Sequence, residues 1–374
     1  MPHHILYVHH ASVLGGAEVS LLELVRCLDQ ERFQPLVMLP ESGPLLSELA
    51  DRGVDVSVAS IGRLTRTFNP FSLCRYCLNI RKVRRQLHKL IENEKINLVH
   101  CNGLTSLLFV GAVPQRMGVP CVCHLRDARP LCALQRRYMR HASKLIAVSG
   151  AVARVVESDR TVIVHNGVNP DVFHPEVDGK DVRSELGIEP EAIVMGMVAQ
   201  WVPWKRHDVF LDAAREIAAS HPQVCFLLVG RDQFDDHPEI AQMIHAAGEE
   251  EPLHGRMIVA GQRSDMPSVM GAMDILVLPS ENEPFGRTLV EAMATGKAVI
   301  CVRGGGPEEI VTPECGLLLE TPDAGQLVSG LERLLRDPAL RAEMGQAGRE
   351  RVISHFSSEK CAEHIQAVYE GLID

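Results

Sequence analysis

Thirteen short apolar runs, spaced by stretches of helical periodicity, limit what this chain can fold into. Seven fall in the first half: His4–His10, Pro35–Leu39, Asp55–Ala59, Asn97–Cys101, Pro120–Leu125, Lys144–Val148 and Thr161–Val164. Six follow: Ala192–Val198, Cys225–Val229, Met257–Ala260, Ile275–Leu278, Ala298–Val302 and Gly316–Leu319. They are nearly continuous in apolar residues instead of alternating with polar ones. Strands buried on both faces, as in parallel sheets, have that signature. Parallel neighbours need a crossover, and the intervening helical stretches supply it. The expected class is α/β.

Two such series in 374 residues predict two Rossmann-like domains, each long enough to bury its own core. The segment from Asn166-Gly167 to Pro175 breaks the rhythm with Gly and Pro and reads as the linker. The expected domains are residues 1–168 and 169–355, followed by a terminal helical segment at 356–374, where Cys361, Ile365, Val368 and Leu372 recur at helical spacing.

A content of 46% hydrophobic and 23% charged residues suits a soluble globular chain. No apolar run reaches about 18 residues, so no membrane-spanning helix is expected. Met1 to His4 lead straight into a strand, not into the basic and apolar regions of a signal peptide, which predicts a cytoplasmic location. The eleven Cys are scattered, and Cys74 and Cys77 form a lone CxxC without a second pair. Reduced thiols are expected, with neither metal nor cofactor. Residues 1–165 hold 21 basic and 13 acidic side chains, a net +8, and the remainder carries −18. Such a basic half suits an anionic acceptor or an anionic membrane surface.

The most informative stretch is Ser280-Glu-Asn-Glu-Pro-Phe-Gly-Arg-Thr-Leu-Val-Glu291. Glu283 and Glu291 stand eight residues apart around a Phe285-Gly286 turn, between a strand and a helix at about Thr288–Ala294. Strand ends of this kind are where α/β folds bind ligands. Gly286 permits close backbone approach, the helix start offers N–H groups to an anion, and a carboxylate in the first turn can hold a vicinal diol. A lone Glu-x7-Glu is also what a solvated loop and a helix-capping acid produce.

The full string resembles the E-x7-E motif of retaining GT-B glycosyltransferases in glycosyltransferase family 4. The resemblance implies two Rossmann-like domains facing a cleft, a terminal helix crossing back to the first domain, and a nucleotide-sugar donor. It implies that Glu291 holds the nucleotide ribose, and that Glu283 with the Phe285-Gly286 backbone holds the donor sugar. Pro284, Arg287 and Thr288 count with the same binding loop.

Other segments extend the likeness. Gly15-Gly16-Ala17-Glu18 follows the first strand and opens a helix at about Ala17–Leu28, resembling the family's Gly-Gly loop beside the donor phosphates and acceptor. No G-x-G-x-x-G follows that strand, which counts against a dehydrogenase. Lys205 keeps the register of the lysine in the family's Gly-Arg-Leu-x-x-x-Lys-Gly diphosphate clamp, but Ala199, Gln200 and Arg206 replace the first Gly, the Arg and the last Gly. Gln200 can donate a hydrogen bond without bringing charge. By position alone, Arg206 and Arg231 are candidates to supply it. His124 ends a strand where the family places a His beside the donor sugar. His100 ends another and is a candidate for the acceptor pocket. Gly304-Gly305-Gly306-Pro307-Glu308 resembles the Gly-Gly-x-x-Glu loop by the nucleotide, with Gly305 the residue singled out.

The implied reaction is retaining hexosyl transfer with His124, Glu283 and Lys205 as its catalytic groups. The leaving phosphate takes the acceptor proton. No Asp-x-Asp cluster is needed, so metal independence is expected. A UDP-sugar is expected ahead of a GDP-sugar, and the acceptor is a glycan or lipid-linked sugar in polysaccharide biosynthesis. Arg75, Arg81, Lys82, Arg84, Arg85 and Lys89 crowd one helix, at about Ser72–Asn93, and Arg136, Arg137, Arg140 and Lys144 form a second cluster. The first suits peripheral docking on anionic lipid or a solvated face equally. No nucleic-acid partner is expected. A GT-B nucleotide-sugar epimerase and a non-catalytic nucleotide-sugar binding protein are the alternatives, the second hinted at by Gln200.

Overall fold

A computed structural model describes residues 2–61 and 70–373. Each of the thirteen apolar runs forms a strand. The chain divides into two compact units, Met1–Gly167 with Ser358–Asp374, and Val168–Ser357.

The first unit holds a seven-stranded parallel sheet in the order β3-β2-β1-β4-β5-β6-β7. Its strands are β1 His3–Val8, β2 Phe33–Leu39, β3 Asp55–Val58, β4 Leu98–Cys101, β5 Cys121–Leu125, β6 Lys144–Ala147 and β7 Thr161–Ile163. Ile5 to Val8 are wholly buried, as strands covered on both faces must be. The order reverses between β1 and β4, and Val8 pairs with Cys101 and Cys101 with Cys123. His9, Asn102 and His124 therefore come level at the carboxyl ends of three adjacent strands, at the switch point where such sheets bind ligands.

The helix Gly16–Cys27 buries Leu21, Leu22, Leu24 and Val25 in this unit's core. The terminal helix Ser358–Ile373 packs beside it and adds Ala362, Ile365 and Tyr369. Polar ties fix its position: Ser358 Oγ donates to Glu23 (2.9 Å), Arg26 pairs with Glu359 (3.0 Å), and the Asp29 amide donates to Gln366 (2.7 Å).

The helix Pro70–Asn93 buries Val83, Leu87 and Ile91 at successive turns and leaves Arg75, Arg81, Lys82, Arg85 and Lys89 exposed. Arg84 departs from the expected basic face. Its guanidinium turns inward, donates to the carbonyls of Leu108 and Phe109 (3.1 and 3.0 Å), and lies 5.9 Å from the Tyr138 ring centroid. Those carbonyls belong to the last turn of the helix Leu104–Val110, where a cation is favoured.

The second unit holds a six-stranded parallel sheet, order β10-β9-β8-β11-β12-β13. Its strands are β8 Ile193–Val198, β9 Val224–Val229, β10 Met257–Gly261, β11 Ile275–Leu278, β12 Ala298–Val302 and β13 Leu317–Leu319. The order reverses between β8 and β11. Helices His207–Ser220 and Ala324–Arg336 cover it with Val209, Phe210, Ile217, Leu327 and Leu331. Asp323 and Asp337 cap two helices, accepting from the amides of Gln326 and Leu340 (2.9 Å each). Among the described residues no helix is long and apolar enough to cross a membrane.

Candidate active site

In the second unit, the groups predicted from the Glu-x7-Glu motif gather where the strand order reverses. Lys205 follows β8 in a short 3-10 turn, Pro203–Lys205. Glu283 lies in the loop after β11. Lys205 Nζ lies 2.6 Å from Glu283 Oε2, with side-chain exposures of 13% and 8%. The ammonium also sits over the Trp204 ring, 4.3 Å from its centroid.

The glycine-rich loop after β12 explains its own composition. Glu283 and Gly305 form an isolated parallel bridge, and the Gly306 amide donates to the Glu283 carbonyl (2.8 Å). Gly305 has φ +114°, and a Cβ there would lie 2.0 Å from the Glu283 carbonyl oxygen. The glycines thus let two strand-end loops meet backbone to backbone.

Gly286, at φ +100°, caps the helix Arg287–Ala294. Phe285 is buried with its ring 6.1 Å from Phe356, and Pro284 and Thr288 are half-buried beside it. Arg287 Nε lies 2.8 Å from Glu291 Oε1, one helical turn on, with side-chain exposures of 12% and 8%. Two ion pairs are thus held nearly out of water on one loop–helix unit, where desolvation makes each charge dependent on its partner.

Arg206, a candidate for the missing clamp charge, is already paired. It adopts the left-handed region (φ +55°) and its guanidinium is engaged by two carboxylates: Asp208 through Nε and Nη2 (2.8–3.1 Å), and Glu281 through Nη1. The Glu281 amide in turn donates to the Trp204 carbonyl (2.8 Å). Arg206 therefore ties the Lys205 turn to the Glu283 loop and is not a free positive charge. Gln200 is half-buried after β8. Arg231 is exposed after β9, its carbonyl accepts from the Trp201 amide (3.0 Å), and its guanidinium makes no ion pair among the described residues. His207, 2% exposed, has both ring nitrogens without a partner among the described residues, and burial together with nearby Lys205 lowers its pKa to about 4.

The first unit carries a second polar cluster at its own switch point. Glu18 Oε1 lies 2.5 Å from His9 Nε2, and both are buried. Asn102 Nδ2 reaches His9 Nδ1 (3.1 Å) and the Ala17 carbonyl (3.3 Å). Arg126 donates to Asn102 Oδ1 (3.1 and 2.8 Å) and to Asn166 Oδ1 (2.7 Å), and its Nη2 lies 3.3 Å from His124 Nδ1. Burial raises the Glu18 pKa, but the hydrogen bonds its carboxylate accepts, chiefly from His9, outweigh it and hold the carboxyl below its usual value. Burial, then Arg126 and His100, push His124 well below the ordinary histidine value. Gly15 caps the helix here, and a Cβ on it would lie 2.9 Å from a Glu18 oxygen, so the Gly15-Gly16 turn leaves room for that carboxylate.

His100 does not line a pocket. It is wholly buried, with Nδ1 2.6 Å from the Tyr369 hydroxyl and its ring 5.1 Å from Tyr7 and 5.5 Å from His124. Desolvation lowers its pKa to about 3.

Two family descriptions match the chain, Glycosyltransferase Family 4 over residues 14–172 and Glycosyl transferases group 1 over residues 178–351. A lipopolysaccharide core biosynthesis mannosyltransferase of Rhizobium leguminosarum bv. viciae is 30% identical, covering 64% of this chain and 70% of its own. The chain belongs to the group 1, family 4 glycosyltransferases. Over almost its full length it is 24% identical to a UDP-Gal:alpha-D-GlcNAc-diphosphoundecaprenol alpha-1,3-galactosyltransferase of Escherichia coli, covering 99% of this chain and 97% of that one. Anabaena HepE, solved with UDP and glucose, shares the fold with a TM-score of 0.84 at 24% identity, over 98% of this chain and 99% of HepE.

This glycosyltransferase is of the GT-B type and uses a nucleotide-sugar donor. Reading the glycosyltransferase's sequence alone missed His9, Glu18, Asn102, Asn166, Asp208, Glu281 and His207. The first four share one signal: each stands just past a strand's carboxyl end or at the head of the following helix. The other three flank Lys205 and Glu283, and no periodicity marks them.

Proposed function

We propose that this chain transfers a hexosyl group from a UDP-sugar to a hydroxyl of a lipid-linked glycan, with retention at the anomeric carbon and without a divalent metal. The observation that carries the reading is the pairing of Lys205 with Glu283 beside that of Arg287 with Glu291. In this reading Glu291, oriented by Arg287, accepts from the ribose hydroxyls. Lys205 turns from Glu283 toward the diphosphate and stabilises the charge that grows as the glycosidic bond breaks. Glu283, released, accepts from a sugar hydroxyl. The leaving phosphate oxygen takes the acceptor proton on the same face, which gives retention. His124 supplies a hydrogen bond to the sugar.

The undecaprenol-linked substrate named for the Escherichia coli relative supports a lipid-linked acceptor and, with it, a role in polysaccharide assembly. The UDP bound by HepE and the UDP-Gal of that relative favour UDP, whereas a Corynebacterium relative is named as GDP-mannose-dependent. The exposed bases of the helix Pro70–Asn93, with Leu78 58% exposed among them, support peripheral docking on the anionic cytoplasmic face of a membrane.

The test is nucleoside diphosphate release from UDP-, GDP- and ADP-sugars, with EDTA, with and without a membrane lipid extract. Release from a UDP-sugar, raised by the extract, is the expected result. Loss of turnover on adding EDTA overturns the metal-free mechanism. Conversion of the donor without any acceptor points instead to an epimerase. Equal pelleting with neutral and anionic liposomes overturns the membrane surface.

A further inference from the structure

The polar cluster of the first unit has a direction fixed by its own chemistry. A guanidinium only donates. Asn102 must therefore turn its oxygen to Arg126, and it does, accepting at 3.1 and 2.8 Å. Its amide nitrogen then faces His9 Nδ1 at 3.1 Å and donates to it. A His9 that accepts at Nδ1 carries its proton on Nε2, where Glu18 Oε1 receives it at 2.5 Å. The hydrogen bonds run one way, from the Arg126 cation through two neutral groups to the Glu18 anion.

The same rule applies at the other hand of Arg126. Nη2 lies 3.3 Å from His124 Nδ1 and can only donate to it. His124, 1% exposed and kept neutral by burial, then bears its proton on Nε2. That atom is buried and has no hydrogen-bond partner among the described residues. A buried N–H without an acceptor is costly, and an oxygen of a bound ligand removes the cost.

We propose that Arg126 is a positioning residue that locks His124 in the Nε2–H tautomer, so that the ring presents a hydrogen-bond donor, never an acceptor, to a hydroxyl oxygen of the sugar. Glu18 and Asn166 hold Arg126 in place, Glu18 through the His9–Asn102 chain and Asn166 by accepting from Nη1 at 2.7 Å. The inference deepens the transferase reading and rests on it for the identity of the ligand, but the tautomer is a property of the protein alone.

The experiment is two-bond 1H–15N correlation on the full chain labelled at histidine, with the His124 signals assigned by their loss in His124→Gln. The expected wild-type pattern at neutral pH has the proton on Nε2 for His124 and also for His9. A His124 proton on Nδ1, or a charged ring, overturns the proposal without any variant having to fold. In Arg126→Met, His124 should move to a mixed or Nδ1–H pattern and kcat should fall at least about tenfold. Arg126→Lys should keep part of both. An unchanged tautomer and kcat in Arg126→Met overturns the proposal. A wild-type Nε2–H pattern with no turnover of any donor bears out the tautomer lock and counts against the transferase reading instead.

Discussion

The residue whose loss is most informative is Lys205. Replacing it with Met leaves the Glu283 carboxylate buried without its cation, a change that costs about 3–5 kcal/mol in comparable buried pairs. Pairing Lys205→Met with Glu283→Gln removes both charges and should restore most of that loss. Urea unfolding followed by tryptophan fluorescence measures both; a double variant no more stable than the single would show that the pair is not coupled. At the other pair, Glu291→Ala should weaken donor binding by roughly 10- to 150-fold, the value of charge-assisted bonds worth about 1.5–3 kcal/mol. Isothermal titration with the UDP-sugar checks it, and an unchanged Kd would remove Glu291 from the ribose. Lys205, Glu283 and Glu291 were legible because family spacing marks them. The pairing of Arg206 was not legible because its partners Asp208 and Glu281 declare nothing in sequence: one carboxylate is 75 residues away and meets it only once β8 and β11 lie side by side. Glu18 stood in plain view beside Gly15-Gly16, but its bond to His9 depends on where the first helix turns back over β1.

Among the elements, the three-glycine loop after β12 makes the sharpest claim. Gly305→Ala places a methyl group 2.0 Å from the Glu283 carbonyl at a backbone angle that alanine avoids. The loops must separate, at a cost of roughly 1–3 kcal/mol in strain. Glu283 should then lose its register with Lys205, so that kcat falls more than stability does. Equal activity in Gly305→Ala at saturating donor would show that this contact is structural only. The strands themselves were the most legible part of the fold, since burial on both faces writes a continuous apolar run wherever a parallel strand lies. The terminal helix was legible as a helix through Ile365 and its neighbours. That it completes the core of the first unit is not written in it: the decisive contact, Tyr369 against His100 and Tyr7, joins residues more than 260 positions apart.

At the scale of the whole molecule, the two units can be followed separately through the placement of their aromatic residues. Both tryptophans, Trp201 and Trp204, lie in the second unit, and all four tyrosines, Tyr7, Tyr76, Tyr138 and Tyr369, lie in the first. The units also differ in the histidines whose pKa desolvation lowers strongly. His10, with a pKa lowered to about 4 by burial, His100, at about 3, and His124 lie in the first; His207, at about 4, lies in the second. Each folded value lies below the unfolded one. Between them the unfolded chain binds the extra proton, so stability is complete above about pH 6.5 and declines as pH falls toward the folded value. The slope is at most about 1.4 kcal/mol per pH unit for each such histidine. Three of them against one predict that acid weakens the first unit faster. From pH 7 to pH 5, the urea midpoint reported by tyrosine should fall further than the one reported by tryptophan, and His100→Asn should narrow the gap. Midpoints that fall in parallel, with His100→Asn changing neither, would mean that these histidines do not set the acid limit of the fold.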